Sequence, residues 1–95
     1  MPRLDDDAID AALRDLPEWS GDGDVLVRAI KRRDWRDAIA LVNAVADEAD
    51  RRDHHPDICI TGYRTVTFRL TTHSDGGVTG RDVSMAKEID RLAVG

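Results

Sequence analysis

The chain reads as an α+β domain: an antiparallel four-stranded sheet with its helices packed on one face, in the order α-β-β-α-β-β-α. Three observations predict it. Residues 5–16, 34–52 and 79–93 repeat apolar side chains at helical spacing, and residues 18–31 and 58–72 carry strand patterns. The strands also come in adjacent pairs separated by turn residues, without the strand–helix–strand rhythm of a parallel sheet. With 95 residues, 41% hydrophobic and 35% charged, the chain can bury one modest core, so residues 1–95 are expected to form a single domain.

Asp5, Asp6 and Asp7 open the first helix, supplying a cap and negative charge at its positive end. Ala8, Ile9, Ala12, Leu13 and Leu16 follow on one face until Pro17. Glu18-Trp19-Ser20 is expected as a short strand, Gly21-Asp22-Gly23-Asp24 as a turn, and Val25 to Lys31 as the second strand of a hairpin. The long helix begins at Asp34 and continues to about Arg52. At about 100° per residue, Trp35, Ala38, Ile39, Leu41, Val42, Val45, Ala46 and Ala49 fall in an arc of roughly 160°, wider than a core-covering stripe requires. The excess, with Ala40 and Ala44 on the far side, points to contact with another subunit; a deeply set helix in a monomer is the alternative. Pro56 stops helical geometry. Ile58 to Thr61 and Arg64 to Thr72 make a second strand pair around Gly62, with Val66, Phe68 and Leu70 on one face. Ser74-Asp75-Gly76-Gly77 is a loop. Thr79 and Asp82 form an approximate capping box for the last helix, whose buried face is Val83, Ala86, Ile89 and Leu92 or Ala93.

Charge and composition exclude several function classes. A net charge of -5 lacks the basic surface that nucleic-acid binding needs. No apolar run is long enough for a membrane span, and MPRLDDDAID has neither the apolar core of a signal peptide nor the acid-poor character of a transit peptide. The cytoplasm is the expected compartment. Cys59, the single cysteine, can form no internal disulfide.

All three histidines fall in RRDHHPDICITGYRTVTFRLTTHSDGG, residues 51–77. His54 and His55 stand where the long helix exits, at the negative end of its dipole, with Asp50 and Asp53 within a turn. That setting favours a protonated ring, and burial opposes it. The balance can leave one ring cationic and another neutral, which is what paired acid and base work needs. A cap or a solvated side chain is the plainer reading of a histidine at a helix end. His73 ends the fourth strand and reaches the pair only if the fold brings it there. No metal site is expected: adjacent histidines lack the i, i+4 geometry that lets two rings share an ion, and no second cysteine helps. A nucleophilic triad is also disfavoured, because Cys59 sits in a strand pattern and no serine occupies an elbow motif.

Asp50-x-x-x-His54-His55-Pro56 is followed after six residues by Tyr63, after nine more by His73 and after eight more by Asp82. This spacing resembles the signature of the pterin-4a-carbinolamine dehydratases. Glu18-Trp19, Asp34-Trp35, Thr71-Thr72-His73-Ser74 and Gly76-Gly77-Val78-Thr79 extend the resemblance over nearly the whole chain. Two departures stand out: Ile58 where the family often has an aromatic residue, and Arg32-Arg33-Asp34-Trp35 where it often has a Phe-Lys-Asp-Phe-like run.

The resemblance implies dehydration of 4a-hydroxytetrahydropterin to quinonoid dihydropterin, the recycling step after aromatic amino acid hydroxylation. The pterin would be the substrate, with no cofactor and no metal. His54 and His73 would carry the proton transfers, His55 would orient the pterin, and Asp50 would orient or charge-stabilise His54. Pro56, Thr72, Ser74 and Asp75 would shape the pocket, and Asp82 would either join the site or serve as helix-cap partner of Thr79. The same resemblance implies a homodimer or homotetramer. It also leaves two other roles open, a scaffold like a transcriptional cofactor and a pterin binder without turnover.

Overall fold

The Asp5 side chain accepts from the Ala8 amide at 2.8 Å and so caps α1 (Asp6–Arg14). Ile9 of α1 and Leu16 just beyond it are buried against the sheet's helix-covered face. After α1 the chain forms β1 (Ser20–Gly21), β2 (Leu26–Lys31), α2 (Trp35–Arg52), β3 (Asp57–Thr61), β4 (Thr65–Leu70), a 3-10 turn (His73–Asp75) and α3 (Gly80–Val94). The computed structural model describes residues 2–94; of the expected domain, Met1 and Gly95 lie outside the described residues.

The sheet is antiparallel throughout, in the order β1-β2-β4-β3, so β4 lies between β2 and its own hairpin partner. Register puts Leu26 opposite Leu70, Arg28 opposite Phe68 and Ile30 opposite Val66 on the face that the helices cover. Ile58 and Ile60 join that face from β3. The opposite face carries Val27, Ala29, Lys31, Thr65, Thr67, Arg69 and the exposed Cys59, none of them fully buried. The alternation along β4 therefore reports one buried and one open face, as period-2 patterning requires.

Three local expectations shift. The first strand is Ser20–Gly21 rather than residues 18–20, because Trp19 turns inward. Its indole Nε1 donates to Asp90 Oδ1 at 2.7 Å, and the same carboxylate pairs with Arg28, tying α3 to the first hairpin. Gly21 tolerates its φ of 142° because it lacks a Cβ, which would stand 2.1 Å from the Val25 carbonyl oxygen. The last helix buries Met85 as well as Ala86 and Ile89, while Val83 is only half-buried. His73 lies in a 3-10 turn beyond β4 rather than at the strand end.

Asp34 caps α2 by accepting from the Asp37 amide at 2.8 Å. The broad apolar arc of this helix divides in two. Ala38, Leu41, Val45 and Ala49 enter the core, whereas Trp35, 49% exposed, remains accessible with Ala46 and the half-buried Ile39 and Val42. At the far end Glu48, 8% exposed, accepts from Arg52 Nε at 2.6 Å and from Arg51, and Arg52 also donates to Ser84 Oγ of α3 at 2.8 Å. The Arg51 and Arg52 hydrogen bonds hold the Glu48 carboxyl below its ordinary value of 4.5. A depressed carboxyl stabilises the fold above that ordinary value, and the contribution is lost as pH falls through the folded value. Urea midpoints are therefore expected to drop on acidification below about pH 4.5 in the native chain. Glu48→Gln should flatten part of that drop; an unchanged pH profile in the variant would remove Glu48 from the account.

Candidate active site

The exit from α2 decides where the two adjacent histidines go. Asp53 adopts the left-handed conformation, φ 49° and ψ 44°, its amide bonded to the Ala49 and Asp50 carbonyls, and the His54 amide closes on the Ala49 carbonyl at 3.0 Å. The chain thus reverses within one residue. His54 turns inward and is 8% exposed, whereas His55 turns outward with its side chain 57% exposed.

His54 meets a fully buried carboxylate. Its Nε2 lies 2.5 Å from Asp82 Oδ1. Asp82 Oδ2 accepts from Thr72 Oγ1 at 2.8 Å and from the Thr79 amide at 2.9 Å, and the two threonine hydroxyls are themselves 2.9 Å apart. Thr72 gives its only hydroxyl proton to Asp82, so Thr79 must donate to Thr72; Thr79 Oγ1 in turn accepts from the Arg81 amide at 3.2 Å. With Oδ2 occupied by two donors, Oδ1 is left to accept from the imidazole. That assigns the Nε2 proton to His54 and leaves Nδ1 as the acceptor nitrogen of the ring.

The third histidine arrives on a braced loop. Thr72 and Gly77 exchange backbone hydrogen bonds around the 3-10 turn, and Arg3 donates to the Gly76 carbonyl at 2.9 Å while pairing with Asp24 at 2.7 Å. A side chain at Gly77 would meet the Gly23 carbonyl oxygen at 2.4 Å, so this crossing needs glycine. The turn sets His73 beside His54 and His55 on the wall of a cavity of about 280 Å³, with Asp53, Thr71, Thr72, Ser74 and Arg81 completing it.

The cavity thus gathers His54, His55, His73, Thr72 and Ser74 from the residues singled out in the sequence. Pro56 and Asp75 stand outside its wall, and Asp82 lies behind His54. Asp82 caps α3 through Oδ2 and meets His54 through Oδ1, and it is itself absent from the cavity wall. One pairing is corrected: Asp50 Oδ1 holds His55 Nε2 at 2.9 Å rather than His54, because the turn at Asp53 sends the two rings apart. Ile58 faces the helix-covered core opposite Phe68 and is absent from the cavity wall. Sequence reasoning missed Arg81, whose Nη2 donates to the Asp53 carbonyl at 2.8 Å, and also Thr79; only the capping box pointed toward the latter. Among the described residues no three His, Cys, Asp or Glu side chains converge as metal ligands.

A buried carboxylate with three donors makes a sharp energetic demand. Asp82→Asn replaces an acceptor oxygen with an amide that needs acceptors of its own, and is expected to cost about 1–3 kcal/mol of stability. Chemical denaturation measures this; wild-type stability in the variant would show that the network does not hold the fold.

The family model described as "Pterin 4 alpha carbinolamine dehydratase" matches residues 2–92. A Nocardia farcinica protein provisionally named pterin-4-alpha-carbinolamine dehydratase is 52% identical over 90 residues, covering 95% of this chain and 94% of its own. Among solved structures, a transcriptional coactivator/pterin dehydratase from Brucella melitensis superposes with a TM-score of 0.89 at 34% identity, over 96% of this chain and 98% of that one. A pterin dehydratase-like protein described as a RuBisCO assembly factor in the alpha-carboxysome shares the fold at a TM-score of 0.66 and 20% identity, over 79% and 86% of the two chains.

Proposed function

We propose, from the premise that the chain belongs to the pterin-4a-carbinolamine dehydratase family, that it converts 4a-hydroxytetrahydropterin to quinonoid dihydropterin and water by histidine acid–base catalysis. The observation that carries the reading is the convergence of His54, His55 and His73 on one cavity, with Asp82 directly behind His54. The hydroxyl on C4a leaves as water and needs a proton; the N5 hydrogen departs and needs an acceptor. No electrons are transferred, so the reaction calls for no redox cofactor.

His54 suits the base. A proton accepted at Nδ1 makes an imidazolium whose other N–H already points at the Asp82 carboxylate, which stabilises the charge as it forms. His73, exposed on the same wall, gives its proton to the departing hydroxyl. His55, held by Asp50, orients the polar edge of the pterin, and Ser74 lines the same pocket. The threonine pair acts behind His54, since the Thr72 hydroxyl is committed to Asp82. Tetrahydropterin recycling after aromatic amino acid hydroxylation is the setting that fits this chemistry, and the cytoplasm is its compartment. No helix among the described residues is long and apolar enough to cross a membrane.

Each acid–base residue should contribute about 10²–10⁴ in rate. His54→Ala and His73→Ala are accordingly expected to lower kcat by that order in a carbinolamine dehydration assay, with circular dichroism confirming the fold. Wild-type turnover in both variants would reject the assignment. Pterin calorimetry beside the assay separates the alternatives: an enzyme gives both signals, a pterin binder only heat, and a protein-interaction scaffold neither.

The exposed Trp35 and Ala46, with the half-buried Ile39 beside them, support association into a homodimer or homotetramer. Light scattering at micromolar concentration should give more than the monomer mass, and Trp35→Glu should shift the distribution toward monomer. A monomeric native chain would count against this part of the reading.

A further inference from the structure

Beside the three-histidine cavity lies a second one, of about 340 Å³, lined by Arg52, His54, Gly80, Arg81 and Ser84. In a chain with 19 acidic residues against 14 Lys and Arg, its wall carries two guanidinium groups, an imidazole and a hydroxyl, and no carboxylate. The donors are already oriented. Ser84 Oγ accepts from Arg52 at 2.8 Å, which leaves its own hydroxyl proton to donate elsewhere. Arg52 is balanced by Glu48, whereas among the described residues no ion pair holds Arg81. Its partner is the neutral Asp53 carbonyl at 2.8 Å, and among the described residues no carboxylate pairs with it. A guanidinium without a counter-ion, next to a hydroxyl with a proton to give, suits an oxyanion with several acceptor oxygens. The volume is about ten times the share of one liquid water, enough for a phosphate and the carbon chain that bears it.

His54 and Arg81 line both cavities, so the two lie side by side and share these residues as a common wall. We infer that the second cavity is a phosphate subsite, taking the phosphate monoester on the side chain of a pterin whose ring occupies the three-histidine cavity. This inference rests on the pterin reading of the neighbouring cavity and names the substrate class more narrowly: pterins with a phosphorylated side chain are preferred over neutral ones. Arg81 supplies the charge and Ser84 a directed hydrogen bond, while Gly80 leaves room at the wall.

Titration calorimetry of the full chain in a phosphate-free buffer, with neopterin monophosphate beside neopterin, tests it. The phosphate-bearing ligand is expected to bind about tenfold more tightly or better, the scale of one charge-assisted hydrogen bond. Arg81→Gln should remove most of that preference, and Ser84→Ala should reduce it severalfold. Both side chains are exposed, so the fold should survive either change. Inorganic phosphate should compete with neopterin monophosphate while leaving neopterin affinity unchanged. Equal affinity for the two pterins overturns the inference, as does a preference that persists in Arg81→Gln. Inorganic phosphate binding as tightly as the pterin phosphate also overturns it, by assigning the cavity to the free ion. The parent reading fails separately: turnover of a neutral carbinolamine without any phosphate preference defeats only this inference. A phosphate preference without dehydration by the wild-type chain defeats only the dehydratase assignment.

Discussion

Asp82 is cut off from solvent, yet its carboxylate reaches three separate parts of the chain: the segment after α2 through His54, the segment after β4 through Thr72, and its own helix entrance through the Thr79 amide. A buried carboxylate is tolerable only when its oxygens are met by donors. These three segments are therefore constrained to arrive together, and each finds its place partly because the other two are there. The inward course of His54, the direction of the hydroxyl pair and the start of α3 follow from that one requirement. The consequence for chemistry is a histidine with a fixed tautomer.

Around this point the fold divides its labour between a rigid back and an accessible front. Val66, Phe68 and Leu70 of β4 are buried beneath the helices, next to Leu26 and Ile30 of β2. That packing anchors the strand whose continuation carries Thr72 and His73. The front is built from exits: the left-handed turn at Asp53 and the short turn at His73–Asp75. Loops of this kind can present side chains in directions a strand or helix cannot, while the scaffold fixes where they start.

Much of the architecture was legible in the sequence because local rules and burial agreed. Asp34 before an amphipathic run, Pro56 after it, and the alternation of Val66, Phe68 and Leu70 each had a single physical meaning, and the elements formed where those signals lay. Legibility failed where one backbone angle or one distant partner decided. Nothing local distinguishes His54 from His55 until Asp53 turns left-handed, and that turn gave Asp50 to the other ring. Trp19 left its strand pattern for a carboxylate 71 residues away, and Arg81 turned to a carbonyl 28 residues back. The three histidines could be nominated from spacing, but their convergence depended on a sheet order in which β4 sits between β2 and β3.

That sheet order also governs when the site can exist. β2 pairs with β4 in a register that sets Leu26 against Leu70, so the central ladder closes over a loop that contains the whole of α2 and β3. Non-local closure of this kind is slow and comes after local structure. Asp82 and Arg81 come later still, on the final helix. During synthesis from the N-terminus, the histidine pair is made well before the carboxylate that disciplines it, and the cavities take shape only once the last helix has docked. A ligand for this site would therefore bind only chains that have completed folding, and would act as a late stabiliser of the native state.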